Sequence, residues 1–386
     1  MAENINWKVQ LFKLNFDETE ISAVTETLRS GWITMGQKTL DFETAYEREL
    51  GGGVKALAVS NGTAALHISV LAAGIKPGDE VIVPALTFIA DLNSVYVSGG
   101  KVVLADITSD EDFSMDPEDI ERKITPKTKA LMIVHYAGYS CDMDAITDIC
   151  RRKNLVLIED CAHAPGGEYK GKKLGTFGDL SAWSFFSNKN ISVGEGGMVV
   201  TKDPALYQKC KNLRSHGMTV ASFDRIKGRA VSYDVVEPGF NYRIDEMRSA
   251  LGLVQLSKLK KANKRREEIT KQYFRTLKEV KEISFPFINQ DRGLPTYHIM
   301  PTLLNRRVDR TKLIESLKKD GIQTSIHYPS IQSFTAYKDI VEPTPKAQAV
   351  CERELTLPLY PSMTDEEVGF VCDSLLKNIK TALASV

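Results

Sequence analysis

LVLIED, Leu155 to Asp160, is an apolar run closed by two acids, and CAHAPG (Cys161 to Gly166) follows it directly. Its aliphatic residues do not alternate with polar ones, which suits a strand covered on both faces. Working outward, the same grammar recurs in ALAVS (Ala56 to Ser60), EVIVPA (Glu80 to Ala85), KVVLAD (Lys101 to Asp106), ALMIVHY (Ala130 to Tyr136) and LSAWSFF (Leu180 to Phe186). Between these runs lie helical patterns. TAALHISVLAAG (Thr63 to Gly74) carries apolar residues at helical spacing and ends in glycine; DMDAITDICRRKN (Asp142 to Asn154) opens on acid and closes on base, as the helix dipole favours. The alternation predicts α/β architecture with a mostly parallel sheet, in which ligands gather at the carboxyl ends of the strands.

A chain of 386 residues exceeds the roughly 250–300 at which one core stops growing, so two domains are expected. A charged stretch from Asp245 to Val280 reads as one or two helices joining them. The boundary is placed near residue 250, giving a large unit over 1–250 and a smaller one over 251–386 that holds TYHIMPTLL (Thr296 to Leu304), a helix from Arg310 to Asp320 and the turn-rich SIHYPSIQ (Ser325 to Gln332).

Fifty basic and fifty acidic side chains balance, so the overall basic excess that marks many nucleic-acid or anionic-membrane binders is missing. No apolar run approaches the roughly 20 residues of a membrane span, and the first ten residues do not read as a secretion signal; a soluble, cytoplasmic protein is expected. The six cysteines form no C-x-x-C pair, which argues against a zinc site or a disulfide framework.

Chemistry concentrates in three places. SNGTAAL (Ser60 to Leu66) joins a strand to a helix, whose first backbone N–H groups at Gly62, Thr63 and Ala64 could hold a phosphate; an ordinary capped turn would read the same way. Asp160 ends its strand where an open sheet presents functional groups, although Glu159 and Asp160 together could instead bind magnesium. No Walker-type phosphate loop accompanies that alternative. Lys189, in SFFSNKN (Ser184 to Asn190), follows a strand and precedes the glycine hairpin GEGGMVVT (Gly194 to Thr201), with Ser184 five residues before it. An amine, a carboxylate and a phosphate cradle are the three things pyridoxal 5′-phosphate (PLP) chemistry asks of a protein: a Schiff-base partner, a counter-charge for the pyridinium nitrogen and an anion site. No metal is required.

Seven motifs in order, SNGTAAL, PALTF (Pro84 to Phe88), IEDCAHAPG, SFFSNKN, GEGGMVVT, RSHG (Arg214 to Gly217) and GFNYRIDE (Gly239 to Glu246), resemble the DegT/DnrJ/EryC1/StrS family of PLP-dependent sugar aminotransferases. The likeness runs from SGWITMG (Ser30 to Gly36) to LTLPLYPSMTDEEV (Leu355 to Val368). It implies the aspartate-aminotransferase-like fold, with a seven-stranded sheet in a large PLP domain, a smaller C-terminal α/β domain, and a homodimer with active sites at the subunit interface. By motif position it implies that Lys189 is the Schiff-base lysine and Asp160 the pyridinium partner. Gly62, Thr63, Ala64 and Ser184 would hold the phosphate, Phe88 would stack on the ring, His163 would lie beside the phenolic oxygen, and Asn241 would reach the partner's cofactor.

The same likeness implies substrate contacts from His216, Arg243, His327 and Tyr328. Arg243 could equally pair with Asp245 or Glu246, and His327 could merely satisfy a turn carbonyl. Relatives in which a histidine replaces the lysine are dehydratases; the lysine here favours transamination. The implied reaction moves an amino group, from L-glutamate by analogy, to a nucleotide-linked keto-deoxyhexose in polysaccharide or glycoside biosynthesis. A long-chain keto sugar acid of surface polysaccharide is the alternative substrate. A PLP-binding regulator is the non-catalytic alternative, but the chain has neither a basic helix-turn-helix pattern nor a spare domain.

Overall fold

A computed structural model of the chain describes residues 6–219, 232–340 and 342–383. The central sheet takes β1 (Lys55–Val59), β2 (Glu80–Pro84), β3 (Lys101–Ala105), β4 (Thr128–Val134) and β5 (Val156–Asp160). Two short ribbons follow, β6 (Glu168–Tyr169) and β7 (Lys172–Lys173), and then β8 (Leu180–Ser184) and β9 (Gly197–Thr201) complete the sheet. Its seven strands run in the order β1-β9-β8-β5-β4-β2-β3. Only β9 is antiparallel to its neighbours, because the glycine hairpin after Lys189 turns the chain back beside β8.

The six strands expected from apolar runs are present within a residue or two of those runs. The seventh, GMVVT, lies inside the stretch read as a hairpin. Strands β2, β4 and β8 are buried along nearly their full length, which is why their sequences show no alternation. Two layers of apolar side chains cover the sheet, one including Ile68, Val83 and Met132, the other Phe42, Ile133 and Trp183. Helix Met143–Lys153 is capped by Asp142, whose carboxylate accepts from Ala145 N–H, and it ends at Asn154 in the left-handed region.

The stretch from Asp245 forms one helix of 32 residues, Glu246–Leu277, with Asp245 as its cap. It runs through residue 250 without interruption. Its first half packs with the large sheet's outer layer through Leu259; its second half joins a third core through Ile269, Tyr273 and Leu277. That core covers a three-stranded antiparallel sheet of β10 (Ile283–Ser284), β12 (Met300–Leu304) and β13 (Glu354–Leu357), while β11 (Gly293–Leu294) pairs with β6. The N-terminal segment belongs to the same body: Val9 bridges to Ile322 and is buried in the third core. Helix Arg310–Asp320 spans the expected residues and stops at Gly321, which is left-handed.

All six cysteines are buried, unpaired thiols. Among the described residues no helix is long and apolar enough to cross a membrane.

Candidate active site

The carboxyl ends of β1, β8 and β5 lie along one edge of the sheet, with the start of β9 between β1 and β8, and glycine makes the approach possible. Gly197 stands opposite both Val59 on β1 and Ser184 on β8. A Cβ on Gly197 would fall 2.4 Å from the Asn61 carbonyl oxygen, and one on Gly62 would fall 2.8 Å from Ser184 Cβ and 3.1 Å from its Oγ. SNGT, SFF and GEGG therefore interlock through positions that admit no side chain. Gly62 begins helix Gly62–Ala72, with Asn61 accepting from Ala64 N–H at 2.8 Å. The amino end of a helix, with its partial positive charge and first-turn N–H groups at Gly62 and Thr63, thus adjoins the Ser184 hydroxyl.

Lys189 sits beyond β8 in a loop closed by its own N–H donating to Phe186 O at 2.9 Å. The next residue fixes that loop. Asn190 donates to Asn263 Oδ1 at 2.8 Å and to the Thr296 carbonyl at 3.1 Å, and its oxygen meets His298 Nδ1 at 2.8 Å. Burial pulls the Lys189 amine down to about 8, against the attraction of Asp160, which pulls it up.

Asp160 is 6% exposed and accepts from Ala162 N–H at 2.7 Å. Burial raises its carboxyl, while that N–H, the Lys189 amine and the neighbouring Asp91 act to lower it. Glu159, one residue earlier, follows the strand's alternation to other partners. It accepts from Phe177 N–H (2.8 Å), Gly178 N–H (2.6 Å) and Gly175 N–H (2.9 Å), and meets His135 Nε2 at 3.1 Å. Four partners commit Glu159 to clamping loop 175–178, so the two acids do not converge on one point as a shared magnesium ion would need.

His163 is buried between ring neighbours. Its Nδ1 accepts from Ala137 N–H at 3.2 Å, its Nε2 meets Tyr328 Oη at 3.2 Å, and its ring lies 4.3 Å from that of His298. Burial and the nearby Lys189 charge hold it well below the ordinary imidazole range, so it is neutral at pH 7. Since Nδ1 accepts, Nε2 carries the hydrogen and donates to Tyr328. Phe88 is 54% exposed, its ring 5.7 Å from the Tyr328 ring. A large apolar face open at the strand ends is what a flat heteroaromatic ligand would cover.

Tyr328 and His327 come from the C-terminal half. The His327 N–H donates to Glu354 at 2.7 Å, its Nδ1 meets Thr356 Oγ1 at 2.8 Å, and its carbonyl accepts from Tyr136. Burial, with Lys189 close by, lowers its imidazole to about 4. The His327 imidazole thus meets the Thr356 hydroxyl rather than a turn carbonyl, and it stands close enough to Lys189 to feel its charge.

RSHG and GFNYR pair with each other and with the end of β1. His216 N–H donates to Phe240 O (2.8 Å), Tyr242 N–H to Arg214 O (3.0 Å) and Ser60 N–H to Tyr242 O (2.8 Å). This carries Arg243 opposite Val59, at the same sheet edge as Ser60 and Gly62, and leaves Asn241 and His216 exposed. Both acids considered as partners for Arg243 also bind other groups. Asp245 pairs with Arg248 at 2.6 Å, and Glu246 caps the start of helix Gln37–Glu49 by accepting from Gly36, Lys38 and Thr39 N–H. Residues 220–231, between RSHG and GFNYR, lie outside the described residues.

Three residues not singled out from the sequence belong to this neighbourhood. Asn190 and His298 brace the lysine loop, and Asp91 lies against Asp160. Thr87, in the bend before helix Ala90–Val97, donates to Asp91 in its first turn, a pairing within five residues. The Asn190–His298 pair spans 108 positions and left no local sign.

Comparison with known proteins agrees with the geometry. Residues 15–376 match the DegT/DnrJ/EryC1/StrS aminotransferase family. GDP-perosamine synthase of Escherichia coli O157:H7 is 36% identical over 369 residues, covering 95% of this chain and 97% of that protein. The structure of Helicobacter pylori PseC, an aminotransferase involved in the biosynthesis of pseudoaminic acid, superposes with a TM-score of 0.90 at 30% identity, over 97% of this chain and 99% of its own. Spr1654 of Streptococcus pneumoniae, known in PLP and PMP forms, superposes in its PLP form with a TM-score of 0.89 at 31% identity, over 96% of this chain and 98% of its own. A lysine amine lowered by burial beside a sheet-end carboxylate, next to a glycine-lined helix start, fits the cofactor these proteins use. The chain belongs to the DegT/DnrJ/EryC1/StrS aminotransferase family and is a PLP-dependent transaminase.

Proposed function

We propose that this enzyme transfers an amino group from L-glutamate to the keto group of a nucleotide-linked keto-deoxyhexose, supplying an amino sugar for polysaccharide or glycoside biosynthesis. The observation that carries the reading is the Lys189 amine, drawn down to about 8 and set near Asp160. At that value a substantial fraction is neutral near pH 7–8, so one group serves as both nucleophile and proton carrier.

In this reading the first-turn N–H groups of Gly62, Thr63 and Ala64, the last shared with Asn61, hold the cofactor phosphate together with the Ser184 hydroxyl. Phe88 covers one ring face, His163 donates toward the phenolic oxygen in place of Tyr328, and Asp160 balances the charge of the ring nitrogen. When bound, PLP draws electrons from the donor's α-carbon into its protonated ring. Lys189 Nζ takes the proton from that carbon and later returns one to the sugar carbon that receives nitrogen; positioned proton transfer of this kind is worth about 10²–10⁴-fold.

His216, Arg243, His327 and Tyr328 line the approach for the sugar. An exposed Asn241 suits a role across a homodimer interface, toward the phosphate of the partner's cofactor. GDP-perosamine synthase and PseC, relatives over nearly the whole chain, support a sugar substrate. The test is a two-stage assay with purified holoenzyme. Glutamate alone should yield 2-oxoglutarate in an amount matching the enzyme, and nucleotide-linked keto-deoxyhexoses should then sustain turnover. Turnover only with long-chain keto sugar acids would reassign the substrate, and no 2-oxoglutarate would reassign the donor.

A further inference from the structure

Asp91 is fully buried in the first turn of helix Ala90–Val97. Thr87 Oγ1 donates to its Oδ2. Its other oxygen, Oδ1, has no N–H or O–H partner among the described residues. What lies against this carboxyl is Asp160, at hydrogen-bonding contact. Two carboxylates in contact, both out of water, do not ionise together. A hydrogen bond between them requires a proton on one.

The surroundings decide which. Asp160 has the Ala162 N–H at 2.7 Å and the positive field of Lys189, with His135 adding to it. Asp91 has one hydroxyl, from Thr87. Tyr328 faces both acids and feels the charge of each. The helix dipole favours a negative charge in the first turn, but that term is small beside the cost of a second buried anion next to the first. Burial and the Asp160 charge accordingly push the Asp91 carboxyl well above the usual carboxylate range.

We propose that Asp91 is a protonated positioning residue whose Oδ1–H donates to the Asp160 carboxylate, fixing its orientation and reducing its basicity so that the proton shared with the cofactor ring stays on the ring nitrogen. The functional half rests on the reading of Asp160 as the ring nitrogen's partner. The location of the proton does not.

The experiment separates the two. Infrared difference spectra of cofactor-free protein at pH 7, wild type minus Asp91→Asn, should contain the carbonyl stretch of a neutral buried carboxylic acid; the absence of that band would overturn the proposal. In PLP-loaded protein the ¹⁵N resonance of the ring nitrogen should be protonated and nearly the same in wild type and Asp91→Asn, because the amide keeps a neutral donor to Asp160 and an acceptor for Thr87. Asp91→Ala should move that resonance toward the unprotonated position and lower kcat/KM by roughly 10–100-fold, the range of a hydrogen bond to a charged group. An Asp91→Asn variant as impaired as Asp91→Ala would show that Asp91 acts as an anion and would sink the idea. If Asp91→Ala does not fold, the infrared result and the Asp91→Asn resonance still decide. Asp160→Asn with an unchanged ring-nitrogen resonance would remove the functional half alone.

Discussion

Gly62 backs onto Ser184 so closely that a Cβ on the glycine would stand 2.8 Å from the serine Cβ. Two motifs separated by more than a hundred residues are thereby held as one surface, at the junction where β1 passes into its helix and β8 into the lysine loop. In the proposed reading, backbone N–H groups on one side and a hydroxyl on the other would make an anion site that needs no basic side chain.

Gly62→Ala should therefore separate these two walls. Relief of the overlap requires a backbone shift, with a stability loss of about 1–3 kcal/mol. The dissociation constant for PLP should rise by at least about tenfold, a change equal to 1.4 kcal/mol. Equilibrium dialysis of PLP against folded variant measures it; unchanged affinity would show that the phosphate lies elsewhere.

Tyr328→Phe leaves the buried His163 Nε2–H without its acceptor. The expected cost is about 1–3 kcal/mol of stability in cofactor-free protein. The effect should be smaller when PLP is bound, because the phenolic oxygen takes the hydrogen bond. Thermal unfolding with and without PLP checks this. An equal loss in both states would argue that His163 does not meet the cofactor.

Lys189 gives a pH prediction in the cofactor-free protein. Only the neutral amine attacks the PLP aldehyde, so the rate of cofactor capture should rise with pH and level off above a midpoint near 8. Asp160 stabilises the charged amine and raises that midpoint; Asp160→Asn should lower it. Stopped-flow capture measured from pH 6 to 10 tests both, and a midpoint near the ordinary lysine value would refute the buried amine.

Glu354 gives another. Burial raises its carboxyl to about 8 although Thr356 and the His327 N–H bind it and Arg310 attracts it. In the unfolded chain the group ionises near 4.5. The folded state therefore holds a proton that the unfolded state has released between these values. The associated stability is complete below about pH 4.5 and is lost as pH rises through about 8. Glu354→Gln keeps a neutral group and lacks this slope. Its stability relative to wild type should increase from pH 5 to 8, by at most a few kcal/mol. Urea denaturation at several pH values measures it; a difference independent of pH would place the Glu354 titration elsewhere.

The parts of the molecule legible in the sequence are those coded locally. Apolar runs of LVLIED type mark strands because a doubly covered strand has no polar face, and Asp142 or Gly321 mark helix ends because capping is decided within a few residues. Lys189 and Asp160 were legible for the same reason: each ends or follows a strand at the ligand-binding edge. GMVVT was read only as part of a hairpin, since two glycines precede it and its pairing partners, β1 and β8, are set by topology. The single helix from Glu246 to Leu277 faces different cores with its two halves, so no one apolar stripe defines its length. Asp91, Asn190 and His298 act through partners distant in sequence, and only packing brings them together.

The proposed reaction depends on a bond between Lys189 and the cofactor. Borohydride reduction of PLP-loaded enzyme, followed by proteolysis and mass spectrometry, should place a pyridoxyl group on Lys189, and Lys189→Ala should carry none and lose visible absorbance. A pyridoxyl group on another lysine, or a Lys189→Ala variant that keeps the wild-type absorbance and turnover, would contradict it.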